Sequence, residues 1–176
     1  ISSDDIVINA FPYAPHLAFW QTFYAMKGVN LLGLHTGGGK ILGTDKIIKS
    51  IESMKATCLV GMPGYLYHLI RTAKEQKSNS SNLNLVIFGG EKVTSGLRDK
   101  IKDFLKSMGS KAPIVLSTYA FTEGKCAWVE CKEESGYHLY PDFEFIEVVD
   151  KNNERVNEGE KGEIVYTSLD WRGSVF

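Results

Sequence analysis

Residues 116–125, LSTYAFTEGK, change character abruptly. The apolar run 113–116 (PIVL) gives way to hydroxyls at Ser117, Thr118 and Thr122, an aromatic ring at Tyr119 and the carboxylate of Glu123. A strand that only filled a core would more often close in Asn, Gly or Pro turn chemistry. Tyr119 offers a flat face for stacking, Thr122 a hydroxyl for a phosphate, and Glu123 a carboxylate for Mg2+. A second stretch, Phe88, Gly89, Gly90 and Glu91, also follows an apolar run. Its glycines let a ligand approach the backbone, whose N–H and C=O groups can meet a base edge. Taken one residue at a time, a tight turn at 89–90 and a solvated Glu123 explain these positions equally well.

Other candidates are weaker. Residues 35–40 (HTGGGK) suggest a phosphate loop, but Leu34 stands where its first glycine belongs and Ile41 follows Lys40 in place of Ser or Thr. No G-x-G-x-x-G follows a strand, and no G-x-S-x-G elbow exists for a hydrolytic triad. Cys126 and Cys131 have a permitted zinc spacing with His138 as a third ligand, but structural zinc wants four. Two cysteines on strands and an ordinary histidine fit as well. Cys58, within an apolar strand, is expected in the core. His68, near the apolar stripe of a helix, is expected to be partly buried. Tyr13 and His16 lie in a loop on the ligand side, where they either line a pocket or only lead the chain into a helix.

The elements that must position these residues alternate. Strands are expected at 6–10, 29–34, 57–61, 85–88 and 113–116. Between them, helical spacing joins Leu17, Trp20, Phe23 and Tyr24, with Gly28 as a stop, then Ile47, Ile48, Ile51 and Met54 behind a Thr44 cap. Leu66, Leu69, Ile70 and Ala73 mark a third helix, and Leu97, Ile101, Phe104, Leu105 and Met108 a fourth, capped by Thr94 or Ser95 and stopped at Gly109. The polar stretch 76–82 is short enough to be a helix-to-strand connection. Short apolar strands alternating with helices predict an α/β fold, a mainly parallel sheet of five βα-type strands flanked by helices. After Glu123 the helical pattern stops. Strand-like runs at 126–131, 137–140, 143–149 and 163–167 predict a β-rich extension, dividing the chain into 1–124 and 125–176.

The 176 residues carry a net charge of −1, which gives no electrostatic footprint for nucleic acid or an anionic membrane. No apolar run reaches the ~20 residues of a membrane span. Three cysteines at loose spacing argue against a disulfide framework and for a reducing cytoplasm. Oligomeric state leaves no mark in the sequence.

Residues 88–91, 118–123 (TYAFTE) and 162–168 (GEIVYTS), in this order and spacing, resemble adenylate-forming enzymes, and within them the phenylacetate–CoA ligase family. The likeness extends to 8–13 (INAFPY) and 136–142 (GYHLYPD), and so covers essentially the whole chain. It implies an enzyme that uses ATP and Mg2+ to convert a small carboxylic acid to an acyl-adenylate and then passes the acyl group to coenzyme A. Gly89, Gly90 and Glu91 would border the adenine, and Tyr119 would stack on it with Ala120 beside it. Thr122 would contact phosphate, and Glu123 would hold Mg2+.

Ala120 replaces the glycine usual after the tyrosine, which narrows the room above the sheet. Some relatives carry a Cys/His metal cluster after the Thr-Glu pair. Cys131 and His138 match it, while Val129 and Glu134 stand where other ligands would be, so zinc remains one of two readings there. The resemblance also implies a phosphate loop upstream, a ribose-binding aspartate after Phe176 and a C-terminal domain with a catalytic lysine. The chain is therefore read as a piece of a longer ligase, inactive alone. The alternative is a nucleotide-binding or interaction module on the same scaffold that no longer catalyses.

Overall fold

A computed structural model describes residues 1–14 and 16–169. Strands β1 (Ile6–Asn9), β2 (Leu32–His35), β3 (Cys58–Gly61), β4 (Leu85–Gly89) and β5 (Ile114–Ala120) alternate with helices α1 (Leu17–Gly28), α2 (Thr44–Met54), α3 (Pro63–Glu75) and α4 (Ser95–Ser107). After these come β6 (Ala127–Val129), β7 (Glu144–Val149) and β8 (Glu163–Ser168). The main sheet has the order β2-β1-β3-β4-β5-β6. Its first five strands are parallel, as the alternation predicted, and β6 pairs antiparallel with β5. β7 and β8 form a separate antiparallel sheet. After Glu123 no helix occurs among the described residues.

Both faces of the central strands β1, β3 and β4 are covered, which is why they read as largely unbroken apolar runs. Ile8, Leu59, Val86 and Val115 face the helix stripes of α2, α3 and α4, where Ile47, Ile51, Leu66, Leu69, Ile70, Ile101 and Leu105 are all fully or almost fully buried. Val7, Cys58, Val60 and Ile87 point to the other face and meet Phe11, Phe19 and Met26. Burial pushes the Cys58 thiol up to about 12, so it stays protonated and acts as a small core side chain. The polar stretch after α3 is the expected connection into β4.

Four local expectations change. Residues 137–140 form no strand; Tyr137 and Tyr140 instead serve as hydrogen-bonding anchors, described below. Helix α1 buries Phe19 and Met26, seven residues apart, while Trp20 and Tyr24 are exposed and Gly28 remains inside the helix. Aromatic spacing on α1 was compatible with more than one face, and the packing partner decided between them. Thr44 is the first residue of α2, with Gly43 at the cap position in its place. His68 is exposed on α3. Thr94 does cap α4, its Oγ1 accepting from the Leu97 N–H at 3.3 Å. Residues 170–176 lie outside the described residues.

Candidate functional site

All five parallel strands end on one side, and ligands in such sheets bind beyond the carboxyl ends. Gly89 sits opposite Thr118 in the β4–β5 register, so the Gly89–Gly90–Glu91 turn and the Tyr119–Glu123 segment leave adjacent strands side by side. The sequence-predicted nucleotide residues are thus brought together.

Each has a local reason. A Cβ on Gly89 would come within 2.6 Å of Thr118 Oγ1 and 3.0 Å of Phe11 Cζ, so glycine is needed where three chain segments converge. Gly90 has φ +90°, a left-handed conformation that turns the backbone away from the sheet and that side chains resist. Glu91 is exposed, and its Oε2 accepts from the Gly64 N–H in the first turn of α3 at 3.3 Å, where the positive end of the helix dipole favours a carboxylate. Ala120, Thr122 and Glu123 are exposed, the last two in the loop between β5 and β6.

Tyr119 is 47% exposed. It lies directly opposite Trp128 across β5 and β6, and the two rings stack with centroids 5.4 Å apart and planes 13° apart. Trp128 is buried. One face of Tyr119 is therefore backed by an indole, and the ring is presented outward as a platform. Phe121, Tyr137 and Tyr166 complete an aromatic group around the pair.

The edge of β5 is closed in two ways. Beside its carboxyl half runs β6. Along its amino half two carboxylates take the place of a strand: the Val115 N–H donates to Glu133 Oε1 and the Ser117 N–H to Glu130 Oε2, each at 2.7 Å. Both acids are answered by α4. Arg98, 4% exposed, lies 3.0 Å from the Glu130 carboxylate and also donates to Val115 O and Ser117 Oγ. Lys102 pairs with Glu133; burial pushes that carboxyl up, but the hydrogen bonds from Lys102 and Val115 N–H, with the nearby positive charges, together draw it below its ordinary value. Ser117 Oγ also meets Tyr137 Oη at 3.0 Å, tying residues 130–137 beneath the platform. Arg98 was missed as a structural residue, although it shares the i, i+3, i+7 stripe of Ile101 and Leu105 and so announced a buried charge.

The strand order reverses between β1 and β3, the kind of switch point at which open parallel sheets bind ligands. The loop after β1 is shaped by buried Asn9, which donates to Phe19 O and His35 Nδ1 and accepts from the Phe11 N–H. Tyr13 packs edge-on to Phe19 and donates to His35 O at 2.7 Å. His16 is exposed before α1. Phe11, reaching Gly89, links the loop after β1 to the β4 end.

Cys131 and His138 are exposed, and among the described residues no three His, Cys, Asp or Glu side chains are arranged to hold a metal. Cys126 turns instead to Glu144, 3.2 Å away, and burial together with that carboxylate pushes its thiol up to about 11.

The AMP-binding enzyme family matches residues 1–169. The chain belongs to that family. Its fold is similar to 2-hydroxyisobutyryl-CoA ligase in complex with 2-HIB-AMP and CoA in the thioesterification state, with a TM-score of 0.82 and 25% identity over 96% of this chain and 36% of that one. The same ligase in its postadenylation state matches with a TM-score of 0.80 and 26% identity over the same shares. A long-chain-fatty-acid-CoA ligase from Archaeoglobus fulgidus shares the fold at 18% identity and a TM-score of 0.76, over 96% of this chain and 35% of that one. The chain thus spans a little over a third of the solved structures it matches. No curated protein matches it in sequence. Among the described residues no helix is long and apolar enough to cross a membrane.

Proposed function

We propose that this AMP-binding chain forms the nucleotide-holding part of an ATP-dependent acid–thiol ligase working in the reducing cytoplasm. In the reaction a carboxylate oxygen of a small acid attacks the α-phosphorus of ATP and pyrophosphate leaves. The thiol of coenzyme A then attacks the acyl carbon of the adenylate and AMP leaves. The observation that carries this reading is the pair of adjacent strand ends, with a left-handed Gly90 on one and an indole-backed, half-exposed Tyr119 on the other. The acyl-adenylate and CoA held by the 2-hydroxyisobutyryl-CoA ligase support the assignment of substrate class.

In this reading the adenine stacks on Tyr119 and its edge meets the backbone around Gly89–Gly90–Glu91, with Ala120 setting the clearance. Thr122 donates its hydroxyl to a phosphate oxygen. Glu123 supplies the protein carboxylate for Mg2+, a hard cation that accepts one or two carboxylates together with phosphate oxygens and water. An exposed carboxylate beside a hydroxyl fits that mode of binding. The metal supplies charge to the phosphoryl oxygens, a contribution larger in the transition state than in the ground state.

The test is pyrophosphate release by the full-length protein across a panel of carboxylic acids, with Glu123→Gln as the control. Glu123→Gln keeps the shape and removes the charge, so it should depress the adenylation rate while leaving acid affinity and the fold in place. A parental rate in Glu123→Gln across a magnesium titration would remove Glu123 from the metal. Nucleotide binding without pyrophosphate release for any acid would favour a non-catalytic module.

A further inference from the structure

Glu144 is the first residue of β7, yet it is only 4% exposed. Its carboxylate receives three neutral donors from three parts of the chain. Trp128 Nε1–H and the Tyr140 N–H each donate to Oε1 at 2.7 Å, and the Cys126 thiol reaches Oε2 at 3.2 Å. A buried carboxylate is tolerated only where such donors replace water. If filling space were the whole requirement, an apolar side chain would meet it without that cost. The carboxylate is instead a clamp that joins β7 to β6, to the loop preceding β6, and to Tyr140.

Two consequences reach the platform. The indole of Trp128 is held by its Nε1–H and cannot slide in its plane, so the ring stacked on it, Tyr119, has a fixed backing. The loop bearing Thr122 and Glu123 is held at its far end. Cys126 is bound by Glu144, and Gly124 O accepts from Tyr166 Oη at 3.2 Å. Tyr166 sits on β8 opposite Ile146 of β7, and Phe121 packs edge-on against it at 4.8 Å. The small sheet therefore grips the loop at Phe121, Gly124 and Cys126 and the platform at Trp128.

We infer that Glu144 is a positioning residue: acting through Trp128 and Cys126, it sets the Tyr119 face and the Thr122–Glu123 loop in the geometry that receives the nucleotide. This inference rests on the nucleotide reading given above. The same chemistry says which replacement is tolerated. A glutamine at this position keeps an acceptor for Trp128 and Tyr140 and turns an amide toward the Cys126 sulfur, whereas leucine keeps the bulk and loses every acceptor.

The test compares Glu144→Gln, Glu144→Leu and Trp128→Phe by two readouts. The first is hydrogen exchange of the Trp128 indole proton by NMR, the resonance being assigned by its loss in Trp128→Phe. The second is AMP binding by titration, with KM for ATP and for the acid measured separately in the full-length protein. Glu144→Gln should keep a protected indole proton and near-parental AMP affinity. Glu144→Leu should lose the protection and bind AMP about tenfold more weakly, part of the range that base–aromatic stacking supplies. The KM for ATP should rise while the KM for the acid changes little, a split that general loosening of the fold would not produce. Trp128→Phe retains the stacking ring without the donor and should weaken AMP binding several-fold, which keeps the test decisive if Glu144→Leu does not fold. Parental AMP affinity in Trp128→Phe or Glu144→Leu, or a Glu144→Gln as impaired as Glu144→Leu, would overturn the inference. A parental protein that binds no AMP would overturn the nucleotide reading, and the indole exchange would then decide by itself whether Glu144 holds Trp128.

Discussion

The two ends of the main sheet are held together by different physics. From β1 to β4 the strands and α2 to α4 meet through side chains such as Ile8, Leu59, Leu66, Val86 and Ile101, all fully buried and all apolar. From β5 outward the contacts that matter are point contacts between polar groups: Arg98 with Glu130, Lys102 with Glu133, and Glu144 with Trp128. The first region is stabilised roughly in proportion to area and tolerates exchange of one apolar shape for another. The second depends on partners that must all be present, because a lone buried charge has no substitute for water. Gly89, Gly90 and Tyr119 sit where the first kind of construction gives way to the second.

Arg98 gives the largest expected effect. Arg98→Ala leaves Glu130 buried without its cation and strips a donor from Val115 O and Ser117 Oγ. Removing one partner of a buried pair costs about 3–5 kcal/mol, measurable by denaturant unfolding. Leu66→Ala in the apolar region should cost about 2–5 kcal/mol. The distinction lies in the rescue: Leu66→Met should restore most of the stability, whereas Arg98→Met should not. Removing both charges leaves the Ser117 N–H without its acceptor, so a double apolar replacement should also fall short. Recovery by Arg98→Met would erase the contrast between the regions.

Next in size is Tyr119→Ala, aimed at binding rather than folding. The ring is 47% exposed, so its loss should alter the unfolding midpoint little. Base–aromatic stacking is worth about 1–3 kcal/mol, and AMP titration should weaken by that amount. Unchanged affinity would place the base elsewhere along the strand ends.

This contrast also explains what could be read from the chain beforehand. The parallel strands and α2 to α4 were legible because burial on one face of a helix imposes a period, as in Ile47, Ile48 and Ile51 or in Leu66, Leu69 and Ile70, while cover on both faces of a sheet leaves short unbroken apolar runs. Gly89, Gly90 and Tyr119 were legible as a group because their types are unusual at strand ends, and the β4–β5 register brings them together. Partnerships at the β5 edge were not legible. Glu130 and Glu133 look like solvated charges in a run of polar residues, and nothing local says that they replace a neighbouring strand. Glu144 begins a strand whose pattern says nothing of a carboxylate turned inward to an indole sixteen positions earlier. Aromatic spacing misled on α1 for a related reason, since Trp20 and Tyr24 fit a helical stripe that no partner among the described residues covers.

A smaller effect is expected at the start of α4. Thr94 Oγ1 accepts from the Leu97 N–H, one of the donors a helix leaves unpaired at its amino end. Thr94→Ala should cost about 1 kcal/mol, and Thr94→Ser should restore it. If Thr94→Ala is neutral, water serves that N–H as well as the hydroxyl does.

The smallest effect concerns pH, and it falls in the apolar half. His35 ends β2, with its Nδ1 3.2 Å from Asn9 Nδ2 and its ring against Phe19 and Phe23. The Asn9 amide donates, so Nδ1 accepts and the neutral ring carries its proton on Nε2. Burial lowers the His35 pKa from its ordinary value, because the charged ring would lose hydration. The unfolded chain therefore binds a proton at His35 at a higher pH than the folded chain does. Stability rises with pH wherever the unfolded state holds more protons. The His35 contribution is thus full at neutral pH and above, and is progressively lost as pH falls below about 6.5, the ordinary histidine value. The ring is partly solvated, so the slope should be shallow, smaller than the loss of the Thr94 cap. His35→Gln keeps an acceptor for Asn9 and removes the titration, so its stability from pH 7 to pH 5.5 should be flatter than that of the parent. Identical slopes in the two proteins would show that the ring protonates as readily folded as unfolded, and that the β2 end is wetter than the rest of the apolar region.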